Sequence, residues 1–579
     1  MSGKPTTCIL ILLIISILVS LAGCGSSSPG AATTPSDAPA TAVGASEPTE
    51  GPAATEPAKQ EPVILRVGDV RVVDCWNPFT CANFYYWFGL VLGNLMHAGP
   101  DDPSCAPIPY HAKTWQVSED GLTWTFELYE GITYSDGEPF NAYVAKDLLE
   151  WWADSVLAYW QPFNLQIDSV EAVDETTFRV TTKVPIATFP SYDHHWFYLI
   201  PYHIWSAADP DELWTWENWP VVGSGPYVIS DYQQGRHVIL DAREDFYLGK
   251  PPIDRIVIQY YTNWDAVTQA FIAGEIDVTG FGVPAQYYEA LKSVPFATVN
   301  EQPGTGSFIL SLNSWEGEGG DRHPAIGDIA VRTAIDYAID KEQMVDLLLL
   351  GHGQTCPFAH VCDPPMTGEV NPELAVTPLD IDKANQILTE AGYIDTNGDG
   401  IRETPDGDPL VFRLYFDVFF PELSTAADIL RDKLSQIGIA VETEAMELGT
   451  LNEKLKISHD FDLGMYYADF DIDPLNMDFS YTCWSAESGV GNRSGYCSAE
   501  FDEALTAYAT TPDREQSVQH LYQAQAIAAA ARPLITLASK NGIQAYNHDR
   551  FSFPDKLCPS GTASAGVWGF PYVLSAEAK

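Results

Sequence analysis

The first 61 residues of this chain cannot contribute to a packed core, and this confines folding to residues 62–579. An apolar run from Cys8 to Ala22, preceded by the single charge of Lys4, is about 15 residues long, short of the roughly 20 that cross a bilayer as a stable helix. With Leu21-Ala22-Gly23 at its end, it has the form of a secretory signal over residues 1–23. Residues 24–61 follow as a disordered tether of Ser, Pro, Ala, Thr, Gly and Glu with almost no large apolar side chain, reaching roughly 30 to 35 Å as a flexible coil. No second hydrophobic run of membrane-spanning length follows, so the body is expected to be soluble and extracytoplasmic.

The small residues immediately before Cys24 resemble the lipobox of bacterial lipoproteins, which implies that Cys24 becomes the lipid-bearing first residue and anchors the chain to the cell membrane. Of ten cysteines, Cys8 leaves with the signal and Cys24 takes the lipid, so an even number remains. In an exported chain this reads as disulfides, with Cys356–Cys362 and Cys483–Cys497 as the local pairs. Clustered zinc ligands are the competing account, but no CxxC pair occurs.

The chain has 579 residues, enough for two or three packed units, and 30 Lys and Arg stand against 79 Asp and Glu, a net charge of -49. A surface this negative repels phosphate backbones, so nucleic acid is excluded as a partner. The 16 Trp, 28 Tyr and 26 Phe set the chain apart from disordered acidic sequences. Leu122–Leu128 alternates apolar and polar residues after the Glu119-Asp120-Gly121 turn and predicts a hairpin strand. Asp328 caps a helix whose apolar face is Ile329, Ala334, Ile335, Ala338 and Ile339. Helical spacing recurs at Ala384, Ile387, Leu388 and Ala391, and from Ala426 to Ile437 before Gly438. A strand at Ile439–Glu442 follows, giving α/β units in the second half.

Six segments carry a family resemblance in order: Ser118–Phe126, Tyr134–Phe140, Gly223-Ser224-Gly225-Pro226-Tyr227, Asp245–Pro251, Gly274–Val278 and Val331–Asp340. Together they resemble the family 5 extracellular solute-binding proteins, the oligopeptide, dipeptide and nickel receptors of ABC importers. The resemblance implies an α/β fold, a two-lobed periplasmic-binding-protein type II clamp with a discontinuous first lobe and a small inserted domain. The implied division is lobe I over 62–100, 186–304 and 534–579, the inserted domain over 101–185, and lobe II over 305–533. In Gly223–Tyr227, the glycines and the fixed φ of Pro226 read as a tight turn that shapes a loop without touching ligand.

Catalytic signatures are missing: there is no HExxH helix, no GxSxG elbow and no phosphate loop, and abundant carboxylates make any acid pair uninformative. The segment Phe461–Asp469 alternates so that Phe461, Leu463, Met465, Tyr467 and Asp469 share one side of a strand. The resemblance implies that Asp469 holds the α-ammonium of a peptide, with Asp471 as a rival, because an amine in a closed cleft requires an anionic acceptor. Tyr85, Trp87, Tyr159 and Trp160, from the aromatic clusters of residues 76–87 and 159–163, offer flanking faces, as do Trp484 and Tyr481 beside Cys483. Asp395, Asn397, Asp399 and Ile401 reproduce the opening of a calcium loop, with Asp406 in place of the usual final Glu and Glu403 as a helper; its role would be structural, and no other cofactor is called for. An unmetallated turn is the alternative.

These readings converge on a monomeric, lipid-tethered receptor that captures a short peptide or other small solute by hinge closure and presents it to ABC permease subunits. An oligosaccharide receptor is the alternative within the binding class, and a secreted glycosidase the alternative outside it.

Overall fold

The computed structural model describes residues 61–73, 75–79, 88–98, 107–155, 166–186, 198–280, 282–358, 362, 369–469, 474–553 and 572–579. The signal segment, the tether up to Gln60 including Cys24, and Tyr85, Trp87, Tyr159, Trp160 and Asp471 lie outside these residues.

Eleven strands form one large sheet. In chain order they are β1 (Ile64–Asp69), β2 (Tyr227–Gln233), β3 (His237–Ala242), β4 (Arg255–Tyr260), β5 (Val278–Thr279), β6 (Ala297–Leu312), β7 (Gly353–Gln354), β8 (Val411–Asp417), β9 (Ala440–Met446), β10 (Leu463–Asp469) and β11 (Leu534–Asn547). Their spatial order is β9-β8-β10-β6-β11-β5-β1-β4-β3-β2, with β7 set against β11. Two of these strands are long because each serves two lobes. Val299 in β6 and Ile543 and Ala545 in β11 pack with Val267 and Phe271 in one core. Phe308, Leu310, Ile535 and Leu537 pack with Ile335, Leu414 and Leu430 in another. Between these stretches the β6–β11 ladder breaks register, from Pro303 opposite Asn541 to Ser307 opposite Ser539.

The local elements follow the sequence closely. Strands Ala112–Val117 and Thr123–Leu128 form the expected hairpin within a separate four-stranded antiparallel sheet. Its turn is closed by Asp120, which accepts from Ser118 Oγ at 2.6 Å and from the Leu122 N–H at 3.1 Å, with Gly121 at φ +72°. Helix Ile329–Ala338 starts on Asp328, whose side chain accepts from the Ala330 N–H at 2.8 Å. Helix Pro421–Ser435 stops before Gly438, at φ +75°. Both disulfides form as the spacing predicts, Cys356–Cys362 and Cys483–Cys497.

Two expectations are corrected. Ile329 lies outside the apolar stripe and is 48% exposed, because the first helical turn projects past the core that takes Val331, Ala334 and Ile335. β10 lies between β8 and β6 and is buried over Leu463–Tyr466, with Met465 and Tyr466 entering different cores. In Gly223–Gly225 neither glycine has positive φ. What excludes a side chain there is the backbone of Leu90 and Val91, which a Cβ at either position would strike.

Ser224 between those glycines donates to the Leu92 carbonyl at 2.8 Å, which leaves its oxygen to accept from His111 Nε2 at 2.8 Å. Burial, with the nearby Arg243 charge, pushes His111 down to about 3, so the ring is neutral in the fold. An unfolded histidine binds its proton near pH 6.5, so the unfolded state takes up more protons below that value. Stability should therefore fall by up to about 1.4 kcal/mol per pH unit between roughly pH 6 and 3. Urea titrations across that range should show this slope, reduced in His111→Gln. The Cys483–Cys497 bridge spans 14 residues of sequence, and its removal in a Cys483→Ser, Cys497→Ser double variant should cost about 3 kcal/mol in the same assay.

Candidate ligand cleft

Strand direction locates the site. β10 runs antiparallel to β6 and ends with Asp469 opposite Gly306, inside the register break. β8 is parallel to β10, and β9 to β8, so Asp417, Met446 and Asp469 reach the same edge. In the other lobe β5 is antiparallel to β11, while β1 is parallel to both β5 and β4, so Asp69, Tyr260 and Thr279 end toward the crossing from the opposite side. Carboxyl ends of strands are where open α/β sheets take ligands, because no helix covers the loops there. Two such edges converge on the β6–β11 crossing, which makes this the candidate ligand site.

On the first lobe's edge Asp69 is 3% exposed and fixed by four hydrogen bonds, from the N–H groups of Val70 and Arg71 and from Arg71 Nε and Nη2 at 3.0 and 2.8 Å. Gly280 is required beside it, since a Cβ there would run into the Asp69 carboxylate. Lys540, at the crossing, donates to the Gly282 carbonyl at 3.3 Å and so ties the edge to β11. Burial raises the pKa of Tyr260, which keeps this part of the edge uncharged.

On the second lobe's edge Asp417 is buried and accepts the Phe419 N–H at 3.0 Å. Tyr467 is half-buried within a row of rings, 5.4 Å from Phe308 and 4.8 Å from Phe420, which lies 5.0 Å from Phe419. Phe419 is 76% exposed. The sequence pattern does not single out this pair, although Val418-Phe419-Phe420 is an apolar run between a strand end and the helix-starting Pro421, a signal that was available.

The remaining candidates are dispersed. Trp484 is 53% exposed on helix Cys483–Ser488, whose N-terminus is capped by Thr482 and tied by the disulfide. Tyr481 is not a binding face: it is fully buried against Phe501 and Tyr496, because helix Met477–Tyr481 turns it into the second lobe's core. In the first turn of this helix burial raises the pKa of Asp478. Trp76 is buried between Trp219 and Tyr232.

In the calcium-like loop Asp395 accepts from the N–H groups of Gly398 and Gly400, and Asp399 from that of Ile401. The carboxylates that converge are Asp395, Asp399 and Glu403, whose oxygens lie within 4.8 Å of one another. Asp406 is not in this group; Glu403, buried and bonded to Thr396 and Asn397, stands in its place.

Comparison with known proteins follows this architecture. The pattern of bacterial extracellular solute-binding proteins, family 5 middle region, matches residues 106–492. Di/tripeptide-binding protein 4 of Pseudomonas aeruginosa is 29% identical over 474 residues, covering 76% of this chain and 84% of its own. Heme-binding protein A of Haemophilus influenzae is 25% identical over 465 residues, covering 75% and 79%. The structure of the oligopeptide-binding protein AppA from Bacillus subtilis, in complex with a nonapeptide, matches with a TM-score of 0.69 at 20% identity, covering 89% of this chain and 99% of that one. NikA from Brucella suis, in complex with Fe(III)-EDTA, matches with a TM-score of 0.73 at 21% identity, covering 89% and 100%.

Proposed function

We propose a function from one premise: this chain belongs to family 5 of the bacterial extracellular solute-binding proteins. Such proteins carry solutes and do not transform them, so the glycosidase alternative is set aside. The chain captures a short peptide between its lobes and delivers it to an ABC permease. The observation that carries the peptide reading is the register of β10, which ends with Asp469 at the crossing of the two lobes. A carboxylate at that position meets the amino end of a ligand, and main-chain hydrogen bonds to an extended peptide accept varied side chains. The likeness to a di/tripeptide-binding relative supports the same ligand class.

Closure follows from differential contact. A ligand that touches both lobes does so only when they are shut, and that difference in affinity shifts the population toward the shut form. On this reading residues 62–304 and 534–579 supply one lobe with its small insertion, and residues 305–533 the other. The signal over residues 1–23, the tether and a lipid on Cys24 hold a monomeric receptor at the membrane surface outside the cytoplasm. Among the described residues no helix is long and apolar enough to cross a membrane.

Mass spectrometry of ligand released from the purified protein should find peptides; an oligosaccharide would replace this reading. In calorimetry, Asp469→Ala should weaken a free-amine tripeptide by more than about 2 kcal/mol, while the N-acetylated tripeptide should bind the wild type poorly. Unchanged affinity would remove Asp469 from the site. The loop of Asp395, Asn397, Asp399 and Ile401 is proposed to take a structural calcium ion, with Glu403 completing the set. Calcium at a hundredfold excess over its Kd should then stabilise the fold by about 2.7 kcal/mol relative to chelator, and equal melting temperatures would leave the loop an unmetallated turn.

A further inference from the structure

Phe419 is more exposed than any other large apolar side chain among the described residues, at 76%, and it stands at the carboxyl end of β8, on the cleft edge of the second lobe. Two further apolar groups accompany it: Val418 is 50% exposed and Leu448, just beyond the end of β9, is 43% exposed. The Val418 N–H donates to the Met446 carbonyl at 3.0 Å, which holds the two strand ends together. An apolar patch of this kind, left in water at a cleft edge, is stabilised when something apolar covers it.

The ring is also positioned. Its own N–H is held by Asp417, and Pro421 begins the next helix two residues later. Phe419 meets Phe420 edge-on at 80°, Phe420 lies on Tyr467, and Tyr467 lies on the buried Phe308, so the exposed ring is the outer member of a row of four rooted in the core. Its place relative to the ammonium-binding position follows from this row. Phe419 lies in the turn two residues beyond β8, and Phe420 links its ring to Tyr467, which stands two residues before Asp469 on β10.

We infer that Phe419 is a specificity-determining residue, its ring forming a wall of a subsite for a bulky apolar side chain at the amino-terminal position of a peptide. The inference rests on the peptide reading above and adds a preference to it: peptides that begin with a large apolar residue are selected over those that begin with alanine or glycine. The basis is that the exposed ring is joined through Phe420 to Tyr467, two residues before the amine position, so the first residue's side chain is the part of the ligand nearest the ring. The rival occupant is the opposite lobe, which would cover the same patch on closure whatever the ligand.

Calorimetry with two tripeptides, Phe-Ala-Ala and Ala-Ala-Ala, separates these accounts. Phe419 is a surface residue and its truncation leaves the core intact, which equal melting temperatures for wild type and variant would verify. The wild type should prefer Phe-Ala-Ala, and Phe419→Ala should weaken that peptide by about tenfold or more while changing Ala-Ala-Ala by less than about twofold. Phe419→Leu should retain most of the preference. An equal loss for both peptides would overturn the inference in favour of contact between lobes, and no loss for either would place the ring outside the site. Should the wild type bind neither peptide, while released ligand proves to be of another class, the peptide reading fails and the inference with it.

Discussion

The structure depends on two antiparallel strands that belong to both lobes. Over Ala297–Pro303 with Asn541–Asn547, and again over Ser307–Ser311 with Leu534–Ser539, β6 and β11 are locked by main-chain hydrogen bonds. A paired ladder resists bending, because bending breaks those bonds without replacing them. Between the two stretches the register slips, and a Cβ at Gly304 would meet the Lys540 carbonyl, so the strands run close but unladdered there. Since the lobes have separate cores on either side, a change of angle at this point leaves both cores packed. The seam is therefore where the two lobes meet and where strand ends from both lobes converge.

Buried charge holds each lobe rigid around that seam. Asp277 is fully buried and accepts from Arg66 on β1 and from Arg550 beyond β11, so one carboxylate gathers segments from the beginning, middle and end of the chain. In the second lobe Asp336 joins Lys341, Thr377 and Arg532, while Arg332 donates to the carbonyls of Ile326, Asn313 and Ala531. Each of these ions has partners because an unpaired charge in such places would cost several kcal/mol. Buried carboxylates such as Asp277 and Asp336 thus organise the framework through the cations that pair with them.

Several features were legible because they are written in neighbouring residues. The Asp328 and Asp120 side chains satisfy backbone groups two positions away, and the two disulfides close short loops. Other features were not legible because they depend on distant segments. Tyr481 and Trp484 are three residues apart beside the same disulfide, yet one is core and the other half exposed, and only the position of helix Ala499–Thr510 separates them. Gly223 and Gly225 looked like a turn, but their cause is the backbone of residues some 130 positions earlier. Alternation along β10 groups Leu463, Met465 and Tyr467 on one side, and only its central position in the sheet decides that both sides are covered.

The sequence by itself determined the short-range turns and caps, the local disulfides and, through six ordered segments, the family. Tertiary structure alone decided that β10 ends at the crossing of the lobes, that Asp277 draws the two ends of the discontinuous lobe together, and that Phe419 emerges at the cleft. The division has a physical reason. Caps, turns and short disulfides are contacts between residues that the chain itself keeps close, whereas strand order and the exposure of a side chain depend on contacts across hundreds of residues, which no local pattern specifies.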